Sequence, residues 1–278
     1  MNMLEAALLG LVQGLAEFLP ISSSGHLALL EHFFGIEGES ALTFAVMLHI
    51  GTLIAVIAAY WRDLTALIFE LCMVFRDIFT RKGLNASESG TRKLGFLIIV
   101  ATIPTGVMGV LLNDVFSAMY LSLKAVGAGF LITGTVLFIA ERAGSDDKGF
   151  LEMKYRSSLL VGICQGVAIW PGISRSGATI FGSLLGGLRR VDAVRFAFLI
   201  SLPVILGSAV MEAPKAFREG ADAAMAAPIA LGMAVAAASG FFAIKTMVRV
   251  ISGKRLLGFS LYTWALGACV LIYAIFVQ

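Results

Sequence analysis

Long apolar runs interrupted by short polar clusters set the pattern of this chain. Six runs, at about 41–60, 94–112, 120–140, 193–211, 224–245 and 256–277, are long enough to cross a bilayer as helices; a span takes roughly 20 apolar residues. Two shorter runs, about 3–19 and 157–171, each end in a cluster of Pro, Gly and Ser. They predict half-spanning or re-entrant helices. Composition agrees: 59% of the 278 residues are hydrophobic, 14% are charged, and the mean hydropathy is +0.92. Soluble domains do not have this balance. The pattern predicts an all-α integral membrane protein, one membrane domain over 1–278, with about six transmembrane helices plus the re-entrant ones.

Charge placement adds orientation. Seventeen of the 21 Lys and Arg residues fall on one side of the six predicted spans and three, Lys124, Lys215 and Arg218, on the other. Arg175 is left over, inside a motif. Such asymmetry marks the cytoplasmic side and puts both termini outside the cytoplasm. The basic stretch 76–93 is read as part of this topology signal, with no binding role. The N-terminal MNMLEAALLG has neither a basic n-region nor a small-residue cleavage site, so no removed signal peptide is expected. Cys72, Cys164 and Cys269 lack metal or disulfide spacing and read as small buried residues.

The two short apolar runs belong to an internal repeat. GLVQGLAEFLPISSSGH (10–26) lies on GICQGVAIWPGISRSGA (162–178) with an offset of 152. Gln13 meets Gln165, Ser22 meets Ser174, Ser24 meets Ser176 and Gly25 meets Gly177; only the prolines, Pro20 and Pro171, slip by one. Three predicted spans separate the copies, so the second enters the membrane upside down. The expectation is two inverted-topology repeats, about 1–140 and 141–278. Such repeats hold their sites where broken helices meet near the midplane, since irregular backbone survives there only inside protein or beside water.

The two Ser-rich loops carry the chemistry. Each joins a Pro, hydroxyls and a Gly to the start of a helix, where unpaired N–H groups bind phosphate. Ser22, Ser24, Gly25, Ser174, Ser176, Gly177 and Thr179 are the phosphate-binding candidates; the serines are equally suited to plain helix capping. Arg175 adds a permanent charge able to grip two phosphate oxygens, and an arginine in apolar sequence is functional by default. Gln13 and Glu17, four apart, share a helix face. With phosphate they suit Mg2+ or Ca2+, and Glu17 also suits a general base or a structural partner of Arg175. His26 is a candidate acid, base or nucleophile. Ser23 is the hydroxyl whose repeat counterpart is Arg175, so the copies differ where chemistry needs them to. His49 lies mid-span and either lines the cavity or packs a helix. His32, near Glu31, Glu37 and Glu39, reads as solvated.

QGLAEFLPISSSGH and WPGISRSGAT resemble the two signature motifs of the undecaprenyl-diphosphate phosphatases of the bacitracin-resistance type, and the similarity extends over essentially the whole chain. The resemblance implies a bacterial cell-membrane phosphatase that converts undecaprenyl diphosphate to undecaprenyl phosphate, the lipid carrier of cell-wall synthesis. It further implies a divalent metal, a site open to the periplasmic or outer face, and a homodimer. Glu17, His26 and Arg175 would be catalytic, with 22–24 and Ser174 in the site; Ser23 and His26 both remain candidates for the attacking group. Gln13 stands where some members carry Glu. No nucleic-acid partner is expected.

A transporter that flips a polyprenyl phosphate would use the same inverted repeats, yet would need no Glu17, Ser23 and His26 asymmetry. Lipid phosphatases with Pro-Ser-Gly-His and Ser-Arg motifs are mimicked by 23–26 and 174–175. They require a histidine after Ser-Arg, and none follows His49.

Overall fold

A computed structural model describes residues 2–36, 39–80, 85–143, 148–218, 223–253 and 255–276, without the side chains of 39–43, 211–218 and 223–224. Twelve helices form among them. A short pair, α1 (Met3–Phe18) and α2 (Ser23–Phe34), leads into α3 (Glu39–Ala59), α4 (Trp61–Phe79), α5 (Gly90–Leu111), α6 (Asn113–Tyr120) and α7 (Leu123–Arg142). A second short pair, α8 (Tyr155–Val167) and α9 (Arg175–Leu185), is followed by α10 (Arg190–Arg218), α11 (Ala223–Ser252) and α12 (Leu257–Phe276).

Among the described residues five helices, α5, α7, α10, α11 and α12, are long and apolar enough to cross a membrane, and α3 passes the same test only together with α4, from which it is bent by 82°; these five and α3 lie on the six predicted runs. Exposed apolar stripes, such as Ile99, Ile103, Val107 and Val110 on α5, recur at helical spacing and suit lipid. Phe18, Phe44, Phe130, Phe196 and Phe198 are the largest fully buried side chains, and Phe18 meets Phe198 edge to face at 5.3 Å.

The packing crosses between the ends of the chain. Helix α1 lies along α11, α8 lies along α5, and α7 pairs with α12. Small residues make this possible, as membrane helices associate through close backbone approach. A Cβ on Gly10 would strike the Gly232 carbonyl, and one on Gly14 would strike Ser239 and the Ala236 carbonyl.

Two helices are additions to the sequence pattern. In α6, only eight residues turn the chain between spans. In α4, charged residues share the helix with exposed Phe69, Phe75 and Phe79, the make-up of an interfacial helix. Its charges are tied to α5: Arg92 donates to Glu70 at 2.9 Å and to Asp77 at 3.0 Å. The Ser89 hydroxyl donates to Glu70 as well. Elsewhere Arg195 pairs with Asp63, and Arg190 donates to the Glu141 and Ala143 carbonyls closing α7.

Two expectations are corrected. Cys72 and Cys269 are exposed on helix surfaces and Cys164 is half-buried, because their helices face outward there. Glu31 belongs to α2 rather than to a loop and is buried against the Tyr120 hydroxyl at 2.7 Å. His32 is half-buried, edge-on to Phe33 and Tyr273. Glu37 lies outside the described residues, as does the side chain of Glu39.

Candidate active site

Both Ser-rich clusters start their helices alike. The Ser22 hydroxyl caps α2, accepting from the Gly25 amide at 3.3 Å and standing 3.3 Å from Ser24 Oγ. The Ser174 hydroxyl caps α9, accepting from the Gly177 amide at 3.1 Å and standing 3.2 Å from Ser176 Oγ. Ser23 and Arg175 therefore open the two helices at equivalent positions. The backbones differ at the cap. Ser22 has φ 69°, alone among described non-glycine residues in being positive, whereas Ser174 has φ −74°. Such a conformation costs on the order of 1–3 kcal/mol and persists where surrounding structure enforces it.

Helix α7 fixes the second loop. Thr133 donates to the Gly172 carbonyl at 2.8 Å and accepts from the Ser174 amide at 2.9 Å. The Trp170 indole donates to the Ala125 carbonyl at 2.9 Å. Gly172 has φ +91°, and its α-carbon lies 2.9 Å from where a Cβ on Gly25 would sit. The two loops thus touch directly.

Glu17, at the end of α1, is the hub. Its side chain is buried and pairs with Arg175 through Oε1. Its Oε2 accepts from Ser23 Oγ at 2.6 Å and from Gln13 Nε2 at 3.0 Å. His49 Nε2 stands 3.5 Å from the same oxygen. His49 Nδ1 lies 2.7 Å from the Ala45 carbonyl; a carbonyl only accepts, so Nδ1 carries the proton and Nε2 is left toward Glu17. Burying this carboxylate is tolerable because a guanidinium and two hydrogen-bond donors meet it.

A cavity of about 210 Å³ opens beside this cluster. Of the residues predicted from sequence, Glu17, Ser22, Ser23, Ser24, Ser174 and Arg175 line it, joined by His49 and Gln165. Apolar side chains such as Val46, Ile169 and Val204 complete the wall. A larger hollow of about 330 Å³ between α4 and α5 is mainly apolar, and its Glu70 and Arg92 are paired with each other.

The other predicted residues lie elsewhere. The Gly25 and Gly177 amides are spent on the serine caps. Ser176 Oγ faces Ser174 Oγ and the Leu19 carbonyl. Thr179 is fully buried and donates to the Arg175 carbonyl of its own helix at 2.8 Å. His26 points away from Glu17: its ring stacks on Tyr262 at 5.8 Å and meets Phe130 edge-on. His26 Nδ1 donates to the Ser22 carbonyl at 2.7 Å, and Nε2 accepts from the Tyr262 hydroxyl at 2.7 Å. Both ring nitrogens are engaged outside the cavity.

The fit to a divalent cation can be judged from the donors. Among the described residues, no three His, Cys, Asp or Glu side chains cluster as a metal cage. Gln13 Oε1, however, is buried without a partner beside Glu17. A carboxylate, an amide oxygen and a hydroxyl fit a hard ion that takes its remaining ligands from phosphate and water. Sequence reasoning left His49 open and gave Gln165 and Tyr262 no role. A histidine inside an apolar span was the available signal for the first, and the repeat for the second.

Fold and site together define a multi-pass, all-α membrane protein with a sunken chamber where an acid, a hydroxyl and an arginine are in contact. The chain belongs to the bacitracin resistance protein BacA family, which it matches over residues 6–269. It is 41% identical over 275 residues to the undecaprenyl-diphosphatase of Alkaliphilus metalliredigens, covering 99% of this chain and 100% of the relative. The undecaprenyl-diphosphatase of Halothermothrix orenii is 40% identical over 99% of both chains, and that of Methanosphaera stadtmanae 38% over 99% of both.

Proposed function

We propose that this chain is a membrane undecaprenyl-diphosphatase in which Ser23 is the nucleophile and Glu17 its general base. The observation that carries this reading is the 2.6 Å contact between Ser23 Oγ and Glu17 Oε2 beside Arg175, in one cavity. An acid within hydrogen-bond reach of a hydroxyl is the geometry of an activated nucleophile.

Glu17 takes the Ser23 proton as Oγ attacks the terminal phosphorus. The anhydride P–O bond breaks, undecaprenyl phosphate leaves carrying the proton that Glu17 took, and a phosphoserine remains. Glu17, again ionised, deprotonates a water that attacks this phosphorus; the Ser23–phosphorus bond breaks, Glu17 returns the proton to Ser23 Oγ, and phosphate is released. Arg175 meets the charge on the equatorial phosphoryl oxygens, aided by the first amides of α2 and α9, which have no partner within their helices. His26, tied to Ser22 and Tyr262, holds the start of α2 in place. Gln13 and Glu17 would hold Mg2+ or Ca2+, which when bound neutralises the diphosphate. The prenyl tail stays in lipid beside the apolar wall.

The basic side of the spans supports a reading in which both termini and the cavity face the periplasmic or outer side of a bacterial cell membrane. The repeats, about 1–140 and 141–278, are read as inverted, and the chain as a homodimer. Labelling of Cys72 by an impermeant thiol reagent tests orientation: protection in intact cells supports it. Cross-linking in membranes tests the dimer.

The mechanism is tested by acid-quenching the purified chain during turnover of undecaprenyl diphosphate. An acid-stable phosphate on Ser23, found by mass spectrometry, supports it. An acid-labile adduct on His26 overturns the assignment.

A further inference from the structure

Among the polar groups of the cavity that the phosphoryl-transfer scheme leaves unused, one is an acceptor without a partner. Gln165, on α8, is fully buried and lines the chamber with Glu17, Ser23 and Arg175. Its amide cannot be turned at will. The Thr105 hydroxyl donates to the Gly162 carbonyl at 2.9 Å, so its oxygen accepts from Gln165 Nε2, 3.1 Å away. This fixes Nε2 toward Thr105 and leaves Oε1 buried with no hydrogen-bond partner. A buried, unsatisfied carbonyl is costly and calls for a donor.

The substrate's phosphate oxygens are mainly acceptors at neutral pH and match that carbonyl poorly. The groups suited to phosphate here, Arg175, the serine hydroxyls and the helix amides, are donors. Gln165 has the opposite polarity. Water is the reactant that needs an acceptor, since one of its protons goes to Glu17 and the other must be held. Ala168, Ile169 and Ile205 add apolar surface to the same cavity wall, and of its other polar groups outside the scheme His49 is turned toward Glu17. Its repeat counterpart, Gln13, spends Nε2 on Glu17 instead. The same side chain has thus been anchored differently in the two halves of the site.

We propose that Gln165 is a positioning residue whose side-chain carbonyl accepts a hydrogen bond from the water that attacks phosphorus. This rests on the covalent reading of the site given above. The dephosphorylation step is the one that uses water, so Gln165 should matter there and little in the first transfer.

The test uses the full chain purified in detergent, a prenyl diphosphate substrate, and separate first-turnover measurement of prenyl monophosphate and phosphate. Gln165→Met keeps the length of the side chain and removes the acceptor. It should lower kcat about a hundredfold, within the range for a positioned polar group in catalysis, with KM falling in parallel, so that kcat/KM, which reports the first transfer, stays within about threefold. Prenyl monophosphate should appear in a burst, followed by slow phosphate. Gln165→Glu, which keeps acceptor oxygens, should recover at least about a tenth of the wild-type rate. An unchanged kcat in Gln165→Met overturns the proposal. So does a folded variant in which KM alone rises, or in which both products slow equally and Gln165→Glu gives no rescue. Loss of all phosphate release in the wild-type chain, or an active Ser23→Ala variant, would instead overturn the underlying reading of the site.

Discussion

Ser23 Oγ and Gln13 Nε2 donate to one and the same oxygen of Glu17, at 2.6 and 3.0 Å, while its other oxygen pairs with Arg175. One carboxylate therefore joins the first helix, the first loop and the second loop. A substitution at any of these positions should be read as a change to Glu17 as well.

Ser23→Ala should remove activity by about 10³-fold or more, as loss of a nucleophile does. Glu17→Gln should cost about 10²–10⁴-fold, the range for a general base. Phosphate release from undecaprenyl diphosphate by the purified variants measures both. A Ser23→Ala variant near the wild-type rate would be decisive against the scheme.

Arg175→Lys keeps the charge but loses the planar fork. We expect a fall of about 10²–10³ in kcat, comparable to removing a preorganised donor. The variant should still fold, because an ammonium can still meet the buried Glu17. Retention of most activity, measured at saturating substrate, would show that a point charge is enough.

Gln13→Glu replaces an amide donor with a second carboxylate beside Glu17. The variant should be active and should depend more steeply on divalent cation, since two carboxylates repel unless a cation lies between them. Titrating Mg2+ or Ca2+ into chelator-treated enzyme gives the comparison. Inactivity at all metal concentrations in a folded variant would mean that the amide hydrogen bond is itself required.

Gly129→Ala tests the support beneath the second loop. Its Cβ would overlap the Pro171 carbonyl and lie 2.8 Å from the Gly172 carbonyl carbon. Overpacking of this kind costs about 1–3 kcal/mol, so both thermal midpoint and activity should fall. Gly106→Ala, with nothing within 4 Å of the new carbon, should leave activity unchanged and serve as the control.

The six spans were legible in the sequence because lipid demands uninterrupted apolar runs. The loops were legible because capping serines and a lone arginine are conspicuous there. Helix α4 was not, since a helix lying at an interface mixes Arg62 and Arg76 with Phe69 and Phe79 and mimics a charged connector. Glu31 looked like loop acid for a related reason: its burial depends on Tyr120, 89 positions away. Composition could not say which way Ser23 and His26 point, because they are three residues apart at the start of one helix. Tyr262, near the chain's other end, holds the His26 ring away from the cavity. The free oxygen of Gln165 was equally hidden, since it depends on the direction of the Thr105 hydroxyl.

The pairing of α1 with α11 and of α8 with α5 also bears on how the protein is made. Helix α1 can pack on α2 and α3 early, but its broadest contact, with α11, forms only after that helix has been synthesised. A polypeptide stalled after α7 would leave the notch at Gly10 and Gly14 without the Gly232 and Ser239 that fill it.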